Sequence, residues 1–219
     1  MVELRKRKAP AQPLATERKS KKAQAPAASK KSAQKDDESS QTVPSDDTPK
    51  VGDKLNLDQF GGDVETNDGQ KTTLKDLVDA SKAGVVLFTY PRASTPGCTK
   101  QACLFRDHYD SLSESGLSIY GLSTDSPKAN TTFKTKQGLP YPLLCNPSSS
   151  LIAAIGFKKV PKGTIRGVFA LDKKGNVLVL QAGGPDATVD AAQKLVAVLK
   201  EQNPDAETVH VSSPAKDED

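Results

Sequence analysis

The chain of 219 residues contains 35% hydrophobic residues and three cysteines, and its formal net charge is +4. No apolar run approaches the roughly 18 residues of a membrane-spanning helix, and the N-terminus lacks the apolar core of a signal peptide. Three cysteines also do not make a disulfide scaffold. We therefore expect a soluble intracellular protein with reduced thiols, a setting in which neighbouring cysteines are more often catalytic or metal-binding than structural.

The aromatic residues divide the chain into one folded domain and two polar tails. All ten Phe and Tyr residues lie between Phe60 and Phe169. We therefore predict a folded domain at residues 51–202, with disordered tails at 1–50 and 203–219. From residue 51 onward the chain holds 19 basic and 20 acidic residues. A nearly neutral domain of this kind is not typical of a nucleic-acid-binding fold.

The N-terminal tail is strongly basic over residues 1–35, which hold 11 Lys and Arg against two acidic residues. Two basic clusters, nine residues apart, are formed by Arg5, Lys6, Arg7, Lys8, Arg18, Lys19, Lys21 and Lys22. This spacing is typical of a bipartite nuclear localisation signal, so we predict that an import receptor carries the protein to the nucleus. The alternatives are a merely solubilising tail and weak binding of the tail to nucleic-acid phosphates.

The folded domain begins with a short hairpin or meander at residues 51–77 and continues with alternating helices and strands. The later predicted elements are a helix at Leu74–Ala80 capped by Thr72 or Thr73, a buried central strand at Val85–Tyr90, a helix at Cys98–Leu112, a strand at Leu117–Leu122, a helix from Ser126 to Gln137, a strand at Tyr141–Leu144, a helix at Ser148–Ile155, paired strands at Arg166–Asp172 and Asn176–Gln181, and a helix at Ala187–Gln202. This order predicts an α/β sandwich whose reactive site lies where a strand ends and a helix begins.

Two of the three cysteines, Cys98 and Cys103, lie five residues apart in the stretch TPGCTKQAC, at such a junction. Pro96-Gly97 places Cys98 in the first helical turn, where unpaired N–H groups and the helix dipole favour a thiolate. Five helical residues advance about 7.5 Å and turn about 140°. A disulfide cannot form across that separation. Either the segment is not helical, or it unwinds when the bond forms, as a redox switch would.

Other arrangements of the cysteines agree less well with the sequence. A zinc site needs four ligands, commonly in two close pairs. The chain offers one close pair, the separate Cys145, His108 on the predicted helix and His210 in a tail. A static disulfide between Cys98 and Cys103 is disfavoured by the helical geometry.

The stretch Pro91-x3-Thr95-x2-Cys98 resembles the active-site motif of the peroxiredoxins, and TPGCTKQAC resembles the peroxiredoxin Q or bacterioferritin-comigratory subfamily. GDKLNLDQF is similar to the family's opening strand, GLPYPLLCNPS to its segment before the late short helix, and Arg166 in TIRGVFALDKKG to its active-site arginine. The likeness covers residues 51–199. The basic extension is not a general family feature and makes the chain similar to nuclear members found in yeasts.

The resemblance implies a thioredoxin-like fold with a central mixed sheet flanked by helices, and reduction of hydrogen peroxide and organic hydroperoxides. Cys98 would be the peroxidatic cysteine and would form a sulfenic acid. Thr95 and Arg166 would polarise the peroxide and hold the thiolate, and Pro91 would shield the site. Cys103 would resolve the sulfenic acid into an intramolecular disulfide, which thioredoxin would reduce. No metal, flavin or haem is implied.

Several interpretations stay open beside this one. Cys145 stands in LCNP, where relatives often have Ser-Asp, and is either a second resolving thiol or a small buried residue at a strand end. An intramolecular pair removes the need for a dimer, so we expect a monomer. The alternative function is that of a chromatin-associated, redox-sensing interaction protein acting through its basic tail.

Overall fold

The computed structural model describes residues 48–202, which form a seven-stranded sheet with helices packed on both faces. The elements are β1 (Val64–Thr66), β2 (Lys71–Thr72), α1 (Leu74–Ala80), β3 (Gly84–Thr89), α2 (Pro96–Asp107), α3 (Tyr109–Ser113), β4 (Leu117–Ser123), α4 (Pro127–Gln137), β5 (Leu143–Cys145), α5 (Ser150–Ala154), β6 (Gly167–Asp172), β7 (Val177–Ala182) and α6 (Pro185–Gln202). The predictions for the basic clusters and for most of the two tails lie outside the described residues.

The sheet is mixed, as expected, with the strand order β2-β1-β5-β4-β3-β6-β7. Strands β3, β4 and β5 run parallel, whereas β1, β2, β6 and β7 join the sheet through antiparallel pairs. Parallel strands need a crossover, which α2 with α3 and then α4 provide. Because β3 and β4 are parallel and Thr89 pairs with Leu122, β3 ends at Thr89 and β4 at Ser123 on the same edge of the sheet.

The central strand β3 is buried at all six positions, which confirms the prediction of a strand covered on both faces. Its side chains alternate between two cores. Val86 and Phe88 face the core beneath α2, α3, α4 and α6, whereas Val85 and Leu87 face the core beneath α1 and α5. Helix α2 is fixed on the first face by Phe105, whose ring stacks on Phe88 with a centroid distance of 4.3 Å.

The helix starts follow the capping residues seen in the sequence. Thr73 and Asp76 form a capping box at α1, and the Ser126 hydroxyl accepts a hydrogen bond from Ala129 N at α4. Such side chains bond the N–H groups that lack a partner in the first helical turn. Gly138 ends α4 in the left-handed conformation.

Two predicted elements differ in the structure. The single helix expected at Cys98–Leu112 is two helices, because the chain leaves helical geometry at His108, with φ −105° and ψ 10°. The stretch GDKLNLDQF is not a strand; it contributes only an isolated bridge between Lys54 and Asn176. No helix within residues 48–202 is long and apolar enough to cross a membrane.

A glycine substitution tests how tightly the strands around β3 are packed. Gly84 has φ +142°, and a Cβ atom there would lie 2.0 Å from the carbonyl oxygen of Leu171 on the paired strand β6. Gly52 also has a positive φ, of +94°, but a Cβ atom there meets nothing within 4 Å. We expect Gly84→Ala to lower the free energy of unfolding by about 3 kcal/mol or more.

The matched variant Gly52→Ala carries only the conformational strain and should lose about 1 kcal/mol. Urea titration of both variants measures the difference. Equal losses would contradict the close backbone approach at Gly84.

Candidate active site

The candidate site is built at the N-terminus of α2, directly after the central strand. Thr95 is the N-cap, Pro96 and Gly97 are the first two helical residues, and Cys98 is the third. The first intrahelical bond at this end runs from Thr99 N to the Thr95 carbonyl at 2.8 Å. The amides of Gly97 and Cys98 precede it and have no intrahelical acceptor, so they and the helix dipole favour negative charge on the Cys98 sulfur.

Arg166 supplies the positive charge next to this sulfur. Its Nη2 atom lies 3.4 Å from Cys98 Sγ, within hydrogen-bond distance for sulfur. Cys98 is 1% exposed, and the Arg166 side chain is half-buried beside it. A guanidinium is always charged and is more weakly hydrated than an ammonium, so it can hold a partly buried thiolate. The structure therefore brings together the two predicted residues on which thiolate chemistry depends most.

Gly97 leaves room for this guanidinium. A Cβ atom on residue 97 would lie 3.2 Å from Arg166 Nη2, a close contact that either atom would have to relieve by moving. The sequence predicted that Pro96-Gly97 precedes the helix and places Cys98 in its first turn, but gave no role to the glycine. In the structure both residues are helical, and the glycine lets the arginine approach the first turn of α2.

The backbone around Arg166 is held by two strand ends. The Thr89 hydroxyl, at the end of β3, donates to the Ile165 carbonyl at 2.7 Å. Gly183 N, after β7, donates to the Arg166 carbonyl at 3.0 Å. Arg166 immediately precedes β6, so its position is set by the sheet rather than by a free loop.

Gln101 holds the other side of the guanidinium and was not predicted from the sequence. Arg166 Nη1 donates to Gln101 Oε1 at 2.5 Å, and Gln101 Nε2 donates to the Thr188 hydroxyl at 3.0 Å. Thr188 in turn donates to the Pro185 carbonyl at 2.8 Å. Gln101 and Thr188 are fully buried. In this series of hydrogen bonds, from Arg166 to the Pro185 carbonyl, each donor has an acceptor.

A sequence signal for Gln101 existed, because residues three apart on a helix share a face and Gln101 follows Cys98 by three. No such signal existed for Thr188. Its contact depends on how α6 packs on α2, which the local sequence does not state.

An exposed ion pair between Lys100 and Asp186, at 2.7 Å, joins the same two helices and contributes little to stability by comparison with the buried hydrogen bonds.

Thr95, the N-cap, and Pro91 precede Cys98 in the chain, and within residues 48–202 the hydrogen bond to the Cys98 sulfur comes from Arg166. The Thr95 hydroxyl donates to the Arg92 carbonyl at 3.0 Å, which leaves its oxygen lone pairs free to accept. Pro91 is exposed, directly after the buried Tyr90. The expected roles of Thr95 in polarising a peroxide and of Pro91 in shielding the sulfur stay predictions.

Cys103 lies on the same intact helix as Cys98, and both thiols are free. It is partly buried, and its sulfur lies 3.6 Å from Gln137 Oε1 at the end of α4. Helical geometry places the two cysteines about 140° apart around α2, so the described conformation is the reduced one. Formation of a bond between them requires α2 to open.

Cys145 is separated from this pair by its environment. It is fully buried at the end of β5, and its sulfur accepts a hydrogen bond from Asn130 Nδ2 at 3.2 Å. Burial raises the pKa of the Cys145 thiol, partly offset by this hydrogen bond. The structure favours the interpretation of Cys145 as a small buried residue. Within residues 48–202, no group of three or more His, Cys, Asp or Glu residues could hold a metal ion.

The buried amide of Gln101 offers a test of how the guanidinium is positioned. In Gln101→Leu the guanidinium loses its anchor, and hydrogen bonds to charged groups contribute about 1.5–3 kcal/mol. We expect the rate constant for oxidation of Cys98 by hydrogen peroxide to fall about tenfold or more. Stopped-flow or competition kinetics measures it, with a urea titration to confirm that the variant is folded.

The matched variant is Lys100→Ala, which removes only the exposed ion pair between the same two helices and leaves the guanidinium anchored by Gln101. Its rate constant should stay close to that of the wild type. A Leu variant that is folded and reacts at the wild-type rate would contradict the positioning role of Gln101.

Comparison with known proteins agrees with this geometry. The AhpC/TSA family profile matches residues 51–179. Peroxiredoxin bcp1 of Schizosaccharomyces pombe is 36% identical over 137 residues, which cover 63% of this chain and 69% of that protein.

Solved structures show the same similarity. Peroxidoxin BcpB of Mycobacterium tuberculosis has a TM-score of 0.61 at 31% identity, covering 68% of this chain and 97% of that one. The bacterioferritin comigratory protein of Xanthomonas campestris has a TM-score of 0.57 at 28% identity, covering 68% of this chain and 96% of that one. That protein is described with alkyl peroxide reduction activity. These neighbours confirm the thioredoxin-like fold. The chain therefore belongs to the AhpC/TSA family and is a peroxiredoxin-type thiol peroxidase of the peroxiredoxin Q and Bcp type.

Proposed function

We propose that this peroxidase reduces hydrogen peroxide and organic hydroperoxides with Cys98 as the peroxidatic and Cys103 as the resolving cysteine, and that thioredoxin recycles it. The observation that carries the proposal is the contact of 3.4 Å between Arg166 Nη2 and Cys98 Sγ at the N-terminus of α2. That contact places a fixed positive charge where a thiolate and a peroxide oxygen would meet. The alkyl peroxide reduction of the Xanthomonas campestris relative supports organic substrates.

In the first step the Cys98 thiolate attacks the terminal oxygen of the peroxide. A sulfur–oxygen bond forms, the O–O bond breaks, and the leaving hydroxide or alkoxide takes up a proton. Cys98 becomes a sulfenic acid. The amides of the first helical turn and the Arg166 guanidinium, whose opposite side is held by Gln101, stabilise the negative charge that moves from sulfur to oxygen.

In the second step Cys103 attacks the sulfenic sulfur, water leaves, and an intramolecular disulfide forms. The helix must unwind first, because the two cysteines lie five positions apart on it and a disulfide cannot bridge them there. Three hydrogen bonds of the second half of α2 hold it closed. Cys103 Sγ donates to the side-chain oxygen of Gln137, and Arg106 Nη1 donates to the Gln137 carbonyl. The Tyr141 hydroxyl donates to the Ala102 carbonyl at 2.6 Å. An intramolecular pair of this kind is consistent with a monomer.

The disulfide is then reduced by thiol exchange with thioredoxin, which ends as its own disulfide. The two basic clusters of the N-terminal tail support action in the nucleus, in antioxidant defence and redox homeostasis, after recognition by an import receptor.

The proposal is tested by turnover with thioredoxin, thioredoxin reductase and NADPH, together with non-reducing peptide mapping after one equivalent of hydrogen peroxide. Wild type should consume NADPH and show a Cys98–Cys103 disulfide. Cys98→Ser should lose turnover, because no other described thiol lies beside Arg166. Cys103→Ser should consume one equivalent of peroxide but lose recycling by thioredoxin.

Cys145→Ser is the matched control, since it removes a buried thiol outside the pair, and it should keep both turnover and disulfide. A disulfide between Cys98 and Cys145 would reassign the resolving role. Peroxide turnover that persists in Cys98→Ser would contradict the proposal as a whole.

A further inference from the structure

A short basic hairpin, Lys158–Gly163, immediately precedes the strand that carries the site arginine. Its two ends are held together, because Lys159 N donates to the Gly163 carbonyl at 3.0 Å and Lys158 forms an isolated bridge with Thr164. Below it, Ile165 N donates to the Phe157 carbonyl at 2.7 Å. The hairpin is therefore a fixed projection of the folded domain.

The tip of this basic hairpin is apolar and exposed. Val160 is 77% exposed, more than any other large hydrophobic residue within 48–202, and Pro161 beside it is also exposed. A single exposed valine is ordinary on a protein surface. This one stands at the end of a closed hairpin, where a partner can cover it without rearranging the domain.

Three exposed lysines surround this tip: Lys158, Lys159 and Lys162. None of them lies within ion-pair distance of a carboxylate in the described part of the chain, whereas Lys75, Lys100 and Lys200 all do. Arg92, on the loop between β3 and α2, is exposed and adds a further positive charge on the approach to the site. An apolar centre with a rim of one charge is complementary to a partner surface of the opposite charge.

The basic hairpin lies close to the reactive sulfur. Two residues, Thr164 and Ile165, lie between Gly163 and Arg166, so their Cα atoms are at most about 10 Å apart along extended chain. The Arg166 guanidinium contacts Cys98 at 3.4 Å. A protein seated on the hairpin would therefore bring a group on its own surface within reach of a disulfide formed on α2.

We propose that the basic hairpin Lys158–Gly163 is the docking surface for the protein dithiol that reduces the disulfide, and that this partner carries an acidic surface around its thiols. The inference rests on the proposed function, which requires such a reductant. Val160 and Pro161 fill the apolar centre of the contact, and the three lysines select the partner and speed its approach through charge.

The chemistry at this surface is two successive thiol exchanges. A partner thiolate attacks one sulfur of the Cys98–Cys103 disulfide, the S–S bond breaks, and the other cysteine leaves as a thiolate. The partner's second thiolate then attacks the mixed disulfide, forms the partner's own disulfide and releases the remaining cysteine. Two electrons pass from the partner to the chain, and both released sulfurs take protons from solvent as required.

The test uses the full chain and thioredoxin as the probe, in the coupled system with its reductase and NADPH. The variant Lys159→Glu/Lys162→Glu should lower kcat/KM for thioredoxin about tenfold or more. The wild-type value should fall with added salt, and the variant's should not, because the attraction between unlike charges has been removed. Turnover supported by dithiothreitol, a small dithiol that needs no docking surface, should be unchanged.

The matched control is Lys82→Glu/Lys174→Glu, which makes the same change in net charge. Both residues are exposed and lie near Gly84 and Asp172, at the opposite end of β3 from the site. This variant should keep the wild-type kcat/KM for thioredoxin. Val160→Ser should lower kcat/KM while leaving the salt dependence of the wild type in place.

Three results would overturn the inference. The first is an unchanged kcat/KM for thioredoxin in Lys159→Glu/Lys162→Glu, and the second is an equal loss of kcat/KM in the control variant. The third is an equal loss of turnover with dithiothreitol in Lys159→Glu/Lys162→Glu, which would assign the hairpin a role in the site itself. Failure of wild type to turn over peroxide with dithiothreitol would instead contradict the proposed function, and so the two failures are distinguishable.

Discussion

The contact between the Arg166 guanidinium and the Cys98 sulfur is the interaction on which the site depends. The sulfur is 1% exposed, so burial leaves a negative charge there without stabilisation by water. The guanidinium at 3.4 Å and the unpaired amides of the first turn of α2 act against that effect. Much of the surrounding packing serves this contact: Gly97 leaves space for the arginine, and Gln101 bonds its far side.

The same helix has two requirements that oppose each other. In the proposed mechanism its first turn stays formed to hold the Cys98 thiolate, whereas its later turns open so that Cys103 can reach that sulfur. The structure divides these tasks along α2. The first half is tied to Arg166 and α6, and the second half is closed by hydrogen bonds to Gln137 and Tyr141. Hydrogen bonds that stabilise folded domains by about 0.5–1.5 kcal/mol each can be broken transiently. The stack of Phe105 on Phe88 anchors the helix beyond Cys103.

The sequence was informative where local chemistry decides the structure. The TPGC stretch predicted a helix N-terminus at Cys98, the all-apolar run of β3 predicted a strand buried on both faces, and Ser126-Pro127 predicted the start of α4. It was less informative where distant segments meet. The stretch GDKLNLDQF bonds to the distant Gly175 and Val177 through the amides of Leu55 and Gly52, and no local pattern marks these partners. The bond from Gln101 to Thr188 joins two residues that are 87 positions apart in sequence, and no local pattern marks it.

The account is tested most directly by the rate constant for the reaction of hydrogen peroxide with Arg166→Gln, measured by competition kinetics on reduced protein. Glutamine keeps a polar side chain but removes the fixed charge and ends short of the sulfur, and loss of one such stabilising group costs about 100-fold or more in comparable sites. We predict a fall of at least that size, and a urea titration checks that the variant is folded, because the buried Gln101 Oε1 loses its donor. A folded variant that reacts within a few fold of the wild-type rate would contradict the claim that this guanidinium makes Cys98 reactive.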